Sequence, residues 1–556
     1  MPEGDEVGTT TTAGDVVAAF LERCGVDTVF GVISIHNMPI LDAIGRRGKI
    51  RFVPSRGEAG GCNMADAYAR VRKGLGVVVT STGTAAGNAA GAMVEAQTAG
   101  TPLLHLTGQI ELAHLDRNRA YIHEAIDQLG MLRAISKSAY RVWSPETLLG
   151  TLKEAVRTAL TAPTGPVSVE IPIDVQEAAM AWPADLAPLA VTAPVPDTAA
   201  LDDLAARLAK ARRPLLWAGG GALHAHKEIA RLAGLGFGVV TTVHARGALP
   251  EDHPMSLGSF GGSPSVEALY GTSDAMLVAG SRLRGNETLR YQLKLPRPLY
   301  QIDADASAEG RAYAVDRFVA GDSALALAAL ADRLATKLKV DPAWAGDVKA
   351  ARAKAEAGLH NTLGPYARLV DQVAEALPRC FTWVRDITVS NSTWGNRLLT
   401  MTPESVGIYA LGGGIGQGMP MAIGAALGAP GRKTVALVGD GGLYVALGEL
   451  ATAVQEKADL VMLVMNDRGY GVIRNIQDAK FGGRHYFVDL HTPDFGDLAR
   501  TMGWHFRRVG SLNEFPDAFA ASLAAKGPAM IEIDMTAIGP FAVKFGGPPV
   551  RAGAKP

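Results

Sequence analysis

Short apolar runs that end in polar residues alternate with segments of helical spacing along nearly the whole chain, and this alternation constrains the fold more than any other feature. In the first third, "GDVVAAFLERCG" has helical spacing and stops at glycine before the run "DTVFGV"; "MPILDAIGRRG" then precedes "KIRFVPSRGE". "AGGCNMADAYARVRKG" leads to "LGVVVTSTG", "TAAGNAAGAMVEAQTAG" leads to "TPLLHLTGQ", and "GPVSVEIPIDV" reads as the last strand of this unit. Runs of this kind are what strands buried on both faces look like, and the helices between them supply the crossovers that parallel neighbours need. The pattern resumes at "RRPLLWAGGGA" and continues through "GFGVVTTVHARG", "DAMLVAGSRL" and "RPLYQIDAD". It returns a third time with "FTWVRDI", "TVALVGD", "LVMLVMND", "HFRRVG" and "PAMIEIDMT". The fold class is therefore α/β, with three doubly wound parallel-sheet domains expected at residues 8–180, 196–335 and 363–540. A Pro- and Ala-rich linker (182–200) and an Ala-rich helical connector (341–362) separate them, and a Gly/Pro-rich tail (541–556) is expected to be partly mobile.

At 556 residues the chain is too long for one core, and 48% apolar residues are ample for three. Lys+Arg number 54 against Asp+Glu 55, so no global field draws nucleic acid or an anionic membrane, and a small-molecule partner is expected. Cys24, Cys62 and Cys380 are too scattered for a disulfide framework or a CxxC metal site. With no signal-peptide pattern at its start and no apolar run of transmembrane length, the chain reads as cytoplasmic.

The stretch "LVGDGGLY" (437–444) sets an aspartate among three glycines at the end of an apolar strand. Alone it reads as a turn. The next strand, however, ends in Asn466-Asp467 followed by "RGYG", so neighbouring parallel strands bring Asp440 and Asp467 to one carboxyl edge, where open α/β sheets bind ligands. Mg²⁺ is typically held by one or two carboxylates plus phosphate oxygens, and a helix starting after Gly442 offers free N–H groups to a phosphate. A metal-bound diphosphate accounts for both signals.

"GDGG" followed by "ND", with Asp440 and Asp467 27 residues apart, resembles the thiamine diphosphate fingerprint. A second motif fits: "SRGEAGGCNMADAYARV" places Glu58 where the family has a glutamate that hydrogen-bonds the pyrimidine ring of the cofactor. A third, "GGGIGQGMPMAIGAALG", is similar to the family's GxMGxGLPxAIGA segment. The resemblance covers residues 10–540. It is to the branch that contains acetohydroxyacid (acetolactate) synthase, pyruvate oxidase, benzoylformate decarboxylase, benzaldehyde lyase and 2-hydroxyacyl-CoA lyase. It implies that the three domains are pyrimidine-binding, central Rossmann-like and diphosphate-binding. It also implies that Ile415 is a wedge beneath the thiazolium, with the Gly413 carbonyl holding the pyrimidine edge. Asn88, Gly439, Gly441 and Gly442 join the cofactor-binding set. Asp440, Asp467 and the Gly469 carbonyl are the metal ligands; strand alternation also favours Asp467 over Asn466, since only one of the two can face the metal. In this family the cofactor sits between the N-terminal domain of one subunit and the C-terminal domain of another, which implies a homodimer or homotetramer.

The substrate is less constrained. "FGVISIHNMPI" holds His36 where related decarboxylases and benzaldehyde lyase carry a substrate-facing histidine, and it departs from the FGxPGGA loop of acetohydroxyacid synthases. "YIHEAIDQLGM" adds His123 beside Glu124, and "RDITVSNSTWGNRLL" offers Asn391, Ser392 and Trp394 as pocket residues. His105, in "PLLHLTG", reads as a core histidine. The reading is a thiamine diphosphate- and Mg²⁺-dependent enzyme acting on a 2-oxo acid or aldehyde, with decarboxylation or carboligation preferred. An acetolactate synthase-like transferase, a 2-hydroxyacyl-CoA or benzaldehyde-type lyase, and a cofactor-binding paralogue without catalysis are the alternatives. "AGGGA" (218–222) and "QIDAD" (301–305) stand where relatives contact FAD or ADP, which leaves a nucleotide in the central domain open.

Overall fold

The computed structural model describes residues 10–547, so residues 8 and 9 of the first expected domain and 548–556 of the tail lie outside the described residues. The N-terminal part contributes β1 (Thr10–Thr12), β2 (Thr28–Gly31), β3 (Arg51–Pro54), β4 (Gly76–Thr80), β5 (Leu103–Gln109), β6 (Ser138–Arg141), β7 (Val167–Pro172) and β8 (Ala179–Ala181). The central part adds β9 (Pro214–Ala218), β10 (Gly238–Thr241), β11 (Ser256–Gly258), β12 (Ala275–Ala279), β13 (Leu299–Asp303) and β14 (Arg317–Ala320). The C-terminal part adds β15 (Thr382–Arg385), β16 (Val406–Tyr409), β17 (Thr434–Gly439), β18 (Leu460–Asn466), β19 (His505–Val509) and β20 (Ala529–Asp534).

Eighteen of these strands form three six-stranded parallel sheets, with orders β3-β2-β4-β5-β7-β6, β11-β10-β9-β12-β13-β14 and β16-β15-β17-β18-β20-β19; β1 and β8 pair antiparallel as a separate ribbon. Every residue of β4 and β18 is buried, as expected of strands covered on both faces. Counted in chain order within each sheet, the first and third are wound 2-1-3-4-6-5, whereas the middle one is the Rossmann order 3-2-1-4-5-6. The winding of each sheet reverses between its first strand and the strand that starts the other half, between β2 and β4, between β9 and β12, and between β15 and β17; the outer sheets turn back once more, where β7 and β20 insert inside β6 and β19.

The helices Glu58–Arg72 and Gly418–Gly428 hold equivalent places in their domains, between the second and third strands, and they pack on each other. Their approach is close enough that a Cβ on Gly424 would stand 2.1 Å from the carbonyl oxygen of Met64, so only glycine fits. Around this contact one apolar cluster runs through both outer domains, from Phe30, Val53 and Met64 to Val384, Ile408 and Met421. The central domain keeps a core of its own. It meets the C-terminal domain through a buried ion pair, in which Arg246 binds Glu251 and donates to the Leu399 carbonyl, while Glu251 accepts the N–H of Met401 at 2.9 Å.

Two expectations change. The helix Trp344–His360 lies in the expected connector, but Trp344 and Val348 are fully buried in the central core. Its low amphipathic contrast, with alanines on most faces, hid that packing. The tail begins anchored: Phe541 packs on Tyr366 with ring centroids 4.3 Å apart and the rings tilted by 30°, and the N–H of Val543 donates to the Thr362 carbonyl.

Candidate active site

At the reversal between β15 and β17 a pocket of about 350 Å³ opens at the carboxyl edge of the C-terminal sheet. It is lined by Gly413, Ile415, Gly439, Asp440, Gly441, Gly442, Asp467 and Gly469, so this whole group of sequence candidates shares one cavity. The strand ends place the acids. Gly439 pairs with Met465 across β17 and β18, so Asp440, one residue past its strand partner, and Asp467, two residues past, leave neighbouring strand ends and their carboxyl groups meet. Asp440 is 1% exposed and accepts the N–H of Gly469 at 2.9 Å. Burial, and then the neighbouring Asp467 carboxylate, hold the Asp440 carboxyl above its ordinary range. Asp467 is also raised by burial, against the pull of Arg474 at 4.0 Å. A Cβ on Gly471 would stand 1.7 Å from Asp467 Oδ2, so the glycine after Tyr470 leaves room for the carboxylate.

A buried carboxylate beside a half-buried one, with one distant cation, forms a site whose charge a divalent ion would balance. Among the described residues no group of three or more His, Cys, Asp or Glu could hold a metal, so two carboxylates would need a carbonyl, phosphate or water to complete the shell. Asn466 turns the other way: its amide donates to Glu532 at 2.7 Å and its oxygen accepts the N–H of Arg468. Ile415, 38% exposed, presents its side chain to the same pocket.

None of the lining residues precedes Ile387. The N-terminal candidates assemble on their own sheet edge. Glu58 opens its helix and accepts a hydrogen bond from Asn88 Nδ2 at 3.2 Å. Arg56 points away from it, to Gln455 and the Pro54 carbonyl. The buried Glu449 of the C-terminal domain accepts the N–H groups of Arg56 (3.0 Å) and Gly57 (3.2 Å), which fixes the backbone just before Glu58. His36 and His123 meet at the reversal between β2 and β4, with ring centroids 5.2 Å apart and near perpendicular. His36 is 6% exposed; burial and His123 lower its pKa, and Glu111 opposes them. Glu111 and Glu124 each keep one buried carboxylate oxygen without a partner. His105 bonds Thr80 at 2.8 Å and Ser168 at 3.0 Å inside the sheet, and burial lowers its pKa to about 4.

The expected substrate-pocket residues after β15 do not line this cavity. Trp394 and Asn391 are fully buried, Trp394 packs on Trp383 at 5.9 Å, and neither they nor Ser392 line the pocket. The wall comes one turn earlier, from Ile387, Thr388, Val389 and Ser390, because a π-helical turn over Asn391–Gly395 directs the later side chains into the core. Ser390 Oγ is buried, lines the pocket and has no partner. Sequence reading missed it because the signal, a hydroxyl next to a strand-end Asp, was spread over the whole "DITVSNSTW" run.

A second cleft, of about 550 Å³, lies at the reversal between β9 and β12 and is walled by the N-terminal domain. Arg70, Lys137, Arg282, Arg284 and Arg311 line it, opposite Asp303 and Asp305. Gly220 and Gly221 of "AGGGA" and the acids of "QIDAD" all border it. A Cβ on Gly219 would stand 2.2 Å from the Gly280 carbonyl, so the two loops cross only as glycine.

Three family descriptions match in chain order. "Thiamine pyrophosphate enzyme, N-terminal TPP binding domain" matches residues 11–131, the central domain of the same family 201–330, and its C-terminal TPP binding domain 388–533. The chain is 33% identical over 532 residues to a probable 2-ketoarginine decarboxylase of Pseudomonas aeruginosa, covering 94% of each chain. It is 27% identical over 544 residues to a probable acetolactate synthase large subunit of Methanocaldococcus jannaschii, covering 93% of this chain and 91% of the other. With an acetolactate synthase isozyme 1 large subunit of Escherichia coli the identity is 26% over 545 residues, and the coverage 95% and 96%.

Proposed function

The chain belongs to the thiamine pyrophosphate-dependent enzymes, and from that premise we propose that it is a Mg²⁺-dependent 2-oxo acid decarboxylase or carboligase whose active site forms between two copies of the chain. The observation that carries this reading is the acid pair of buried Asp440 and half-buried Asp467 in one pocket with Ile415. Thiamine diphosphate, when bound, supplies the electron sink that lets a bond beside a carbonyl break. Asp440, Asp467 and the Gly469 carbonyl would hold Mg²⁺, with the N–H groups of Gly441 and Gly442 and the Ser390 hydroxyl toward the diphosphate. Glu58 would hold a proton at the pyrimidine ring nitrogen, oriented by Asn88. His36 and His123 stand to move a proton at the substrate.

Two features support a site between copies. The pocket is lined by C-terminal residues alone, and both half-sites carry exposed apolar side chains: Ile35 (69%) and Ile122 (70%) next to the histidines in the chain, Ile415 (38%) and Ile473 (48%) in the pocket of the acids. Exposed apolar side chains grouped at both half-sites are what a partner copy would cover. Homodimer and homotetramer both satisfy it. No described helix is long and apolar enough to cross a membrane, and a cytoplasmic location remains our reading.

Among substrates, a 2-oxo acid with a guanidinium tail is the first to try. A relative is named for 2-ketoarginine, and two carboxylates with an unpartnered oxygen flank the histidine pair: Glu111, whose charge acts on His36, and Glu124, which follows His123 in the chain. The basic cleft of the central domain suits the phosphates of ADP or FAD; the absorption spectrum of the purified protein tests for flavin. The test of the whole reading is product analysis with thiamine diphosphate, Mg²⁺ and a panel of 2-oxo acids bearing cationic, neutral and acidic tails, with and without an acceptor aldehyde. An aldehyde or a 2-hydroxy ketone is expected; no product from any acid, with no cofactor binding, overturns it.

A further inference from the structure

Asp386 follows β15 at the reversal point, is fully buried, and has no ion-pair partner among the described residues. Burial raises its carboxyl to about 6, and backbone N–H groups pull against that rise. An unpaired buried carboxylate is costly, so what it binds matters. Its Oδ2 accepts the N–H of Gly416 at 3.0 Å and of Gly418 at 3.2 Å; its Oδ1 accepts the N–H of Ile387 at 2.6 Å. Gly416, at φ +83, directly follows Ile415. The fit leaves no slack: a Cβ on Gly418 would stand 2.7 Å from Asp386 Cβ, and one on Gly442 2.9 Å from Asp386 Oδ2. One carboxylate thus underlies both the Ile415 loop and the Gly-Asp-Gly-Gly turn.

The start of the same loop is fixed from the other two domains. Glu95 accepts the N–H groups of Leu411 and Gly412, and Arg284 donates to the Leu411 carbonyl. These contacts lie three or more residues before Ile415, so Asp386 is the side chain that holds the loop next to it.

We propose that Asp386 is a positioning residue: by holding the N–H groups of Gly416 and Gly418 it sets the height of Ile415 in the pocket and so the conformation in which thiamine diphosphate is held. The inference rests on the wedge role of Ile415 proposed above. Its test is a double-mutant cycle of Asp386→Asn and Ile415→Ala, read on the full-length protein with thiamine diphosphate and Mg²⁺. The readouts are the dissociation constant, the near-ultraviolet circular dichroism of the bound cofactor, and the rate of hydrogen–deuterium exchange at its C2. Each single variant should slow exchange about tenfold or more and change the dichroism in the same way, and the double variant should be within about twofold of the slower single. Losses that multiply in the double variant overturn the proposal, as does a slow Asp386→Asn variant with wild-type dichroism. Should Asp386→Asn fail to fold, Gly418→Ala perturbs the same contact from the loop side, and exchange at the wild-type rate in that variant overturns the proposal equally. Failure of the wild-type protein to bind thiamine diphosphate would instead refute the functional reading on which the inference rests.

Discussion

The N-terminal and C-terminal sheets share the strand order 2-1-3-4-6-5 and pack through equivalent helices, yet their carboxyl edges differ in kind. The C-terminal edge encloses a pocket within its own domain and fills it with carboxylates and glycines. On the N-terminal edge stand a glutamate, an amide and two histidines, with an exposed isoleucine before each histidine in the chain. The winding decides where a ligand sits, and the few residues after each strand decide what is done there. On this account the C-terminal edge holds the cofactor and the N-terminal edge performs proton transfer, so substitutions on the two should fail differently.

The largest effect is expected at Glu58. Glu58→Gln should lower turnover on the order of 10²-fold or more with little change in Mg²⁺-dependent affinity for thiamine diphosphate, since an amide cannot move the proton. Steady-state rates and binding titrations on one preparation check this, and a tenfold loss of affinity would break the division of labour. Asp467→Ala should do the reverse, weakening Mg²⁺-dependent binding on the order of 10–100-fold, while Asn466→Ala, whose side chain is engaged by Glu532, should bind within a few-fold of wild type. Binding lost in Asn466→Ala alone would reverse the ligand assignment.

Ile415→Ala should slow turnover more than it destabilises the apo-protein. The side chain is already 38% exposed, so truncation should cost less than the about 2–5 kcal/mol of a fully buried aliphatic residue. Thermal unfolding beside kinetics separates the two.

Smaller effects come from two buried groups that respond oppositely to pH. His105 has a folded pKa of about 4 against 6.5. Its contribution is present above 6.5 and is lost as pH falls toward 4, by up to about 3 kcal/mol. Asp386 has a folded pKa of about 6 against 3.8, so its contribution is present below 3.8 and is lost as pH rises through 6. Unfolding free energies at pH 4.5 and 7 (about the ends of this window) should show His105→Asn losing the acid-side slope and Asp386→Asn steepening it.

Interior strands were legible in the sequence because their apolar runs are continuous. The strands it did not reveal are β6, β11, β14 and β16, all at sheet edges, together with the β1/β8 ribbon. Edge strands are short and covered on fewer sides; all four residues of β6 are only half-buried. The acid pair was legible because two strand ends announce it. Asp386 and Ser390 follow a strand end as well, but nothing in "VRDITVS" says which side chain stays at the pocket wall and which turns into the core. That depends on a π-helical turn with no sequence signature of its own.

The account stands on the two edges belonging to different copies of the chain when they act. The direct measurement is complementation: Glu58→Gln and Asp440→Asn proteins, each inactive alone, are mixed, dissociated, reassociated and assayed with thiamine diphosphate and Mg²⁺. If each site takes Glu58 from one copy and Asp440 from the other, a mixed dimer holds one intact site, and random pairing should restore about a quarter of wild-type activity per site. If Glu58 and Asp440 of a single chain serve the same site, no mixture contains an intact one, and activity that stays at the level of the separate variants after verified exchange would contradict the account.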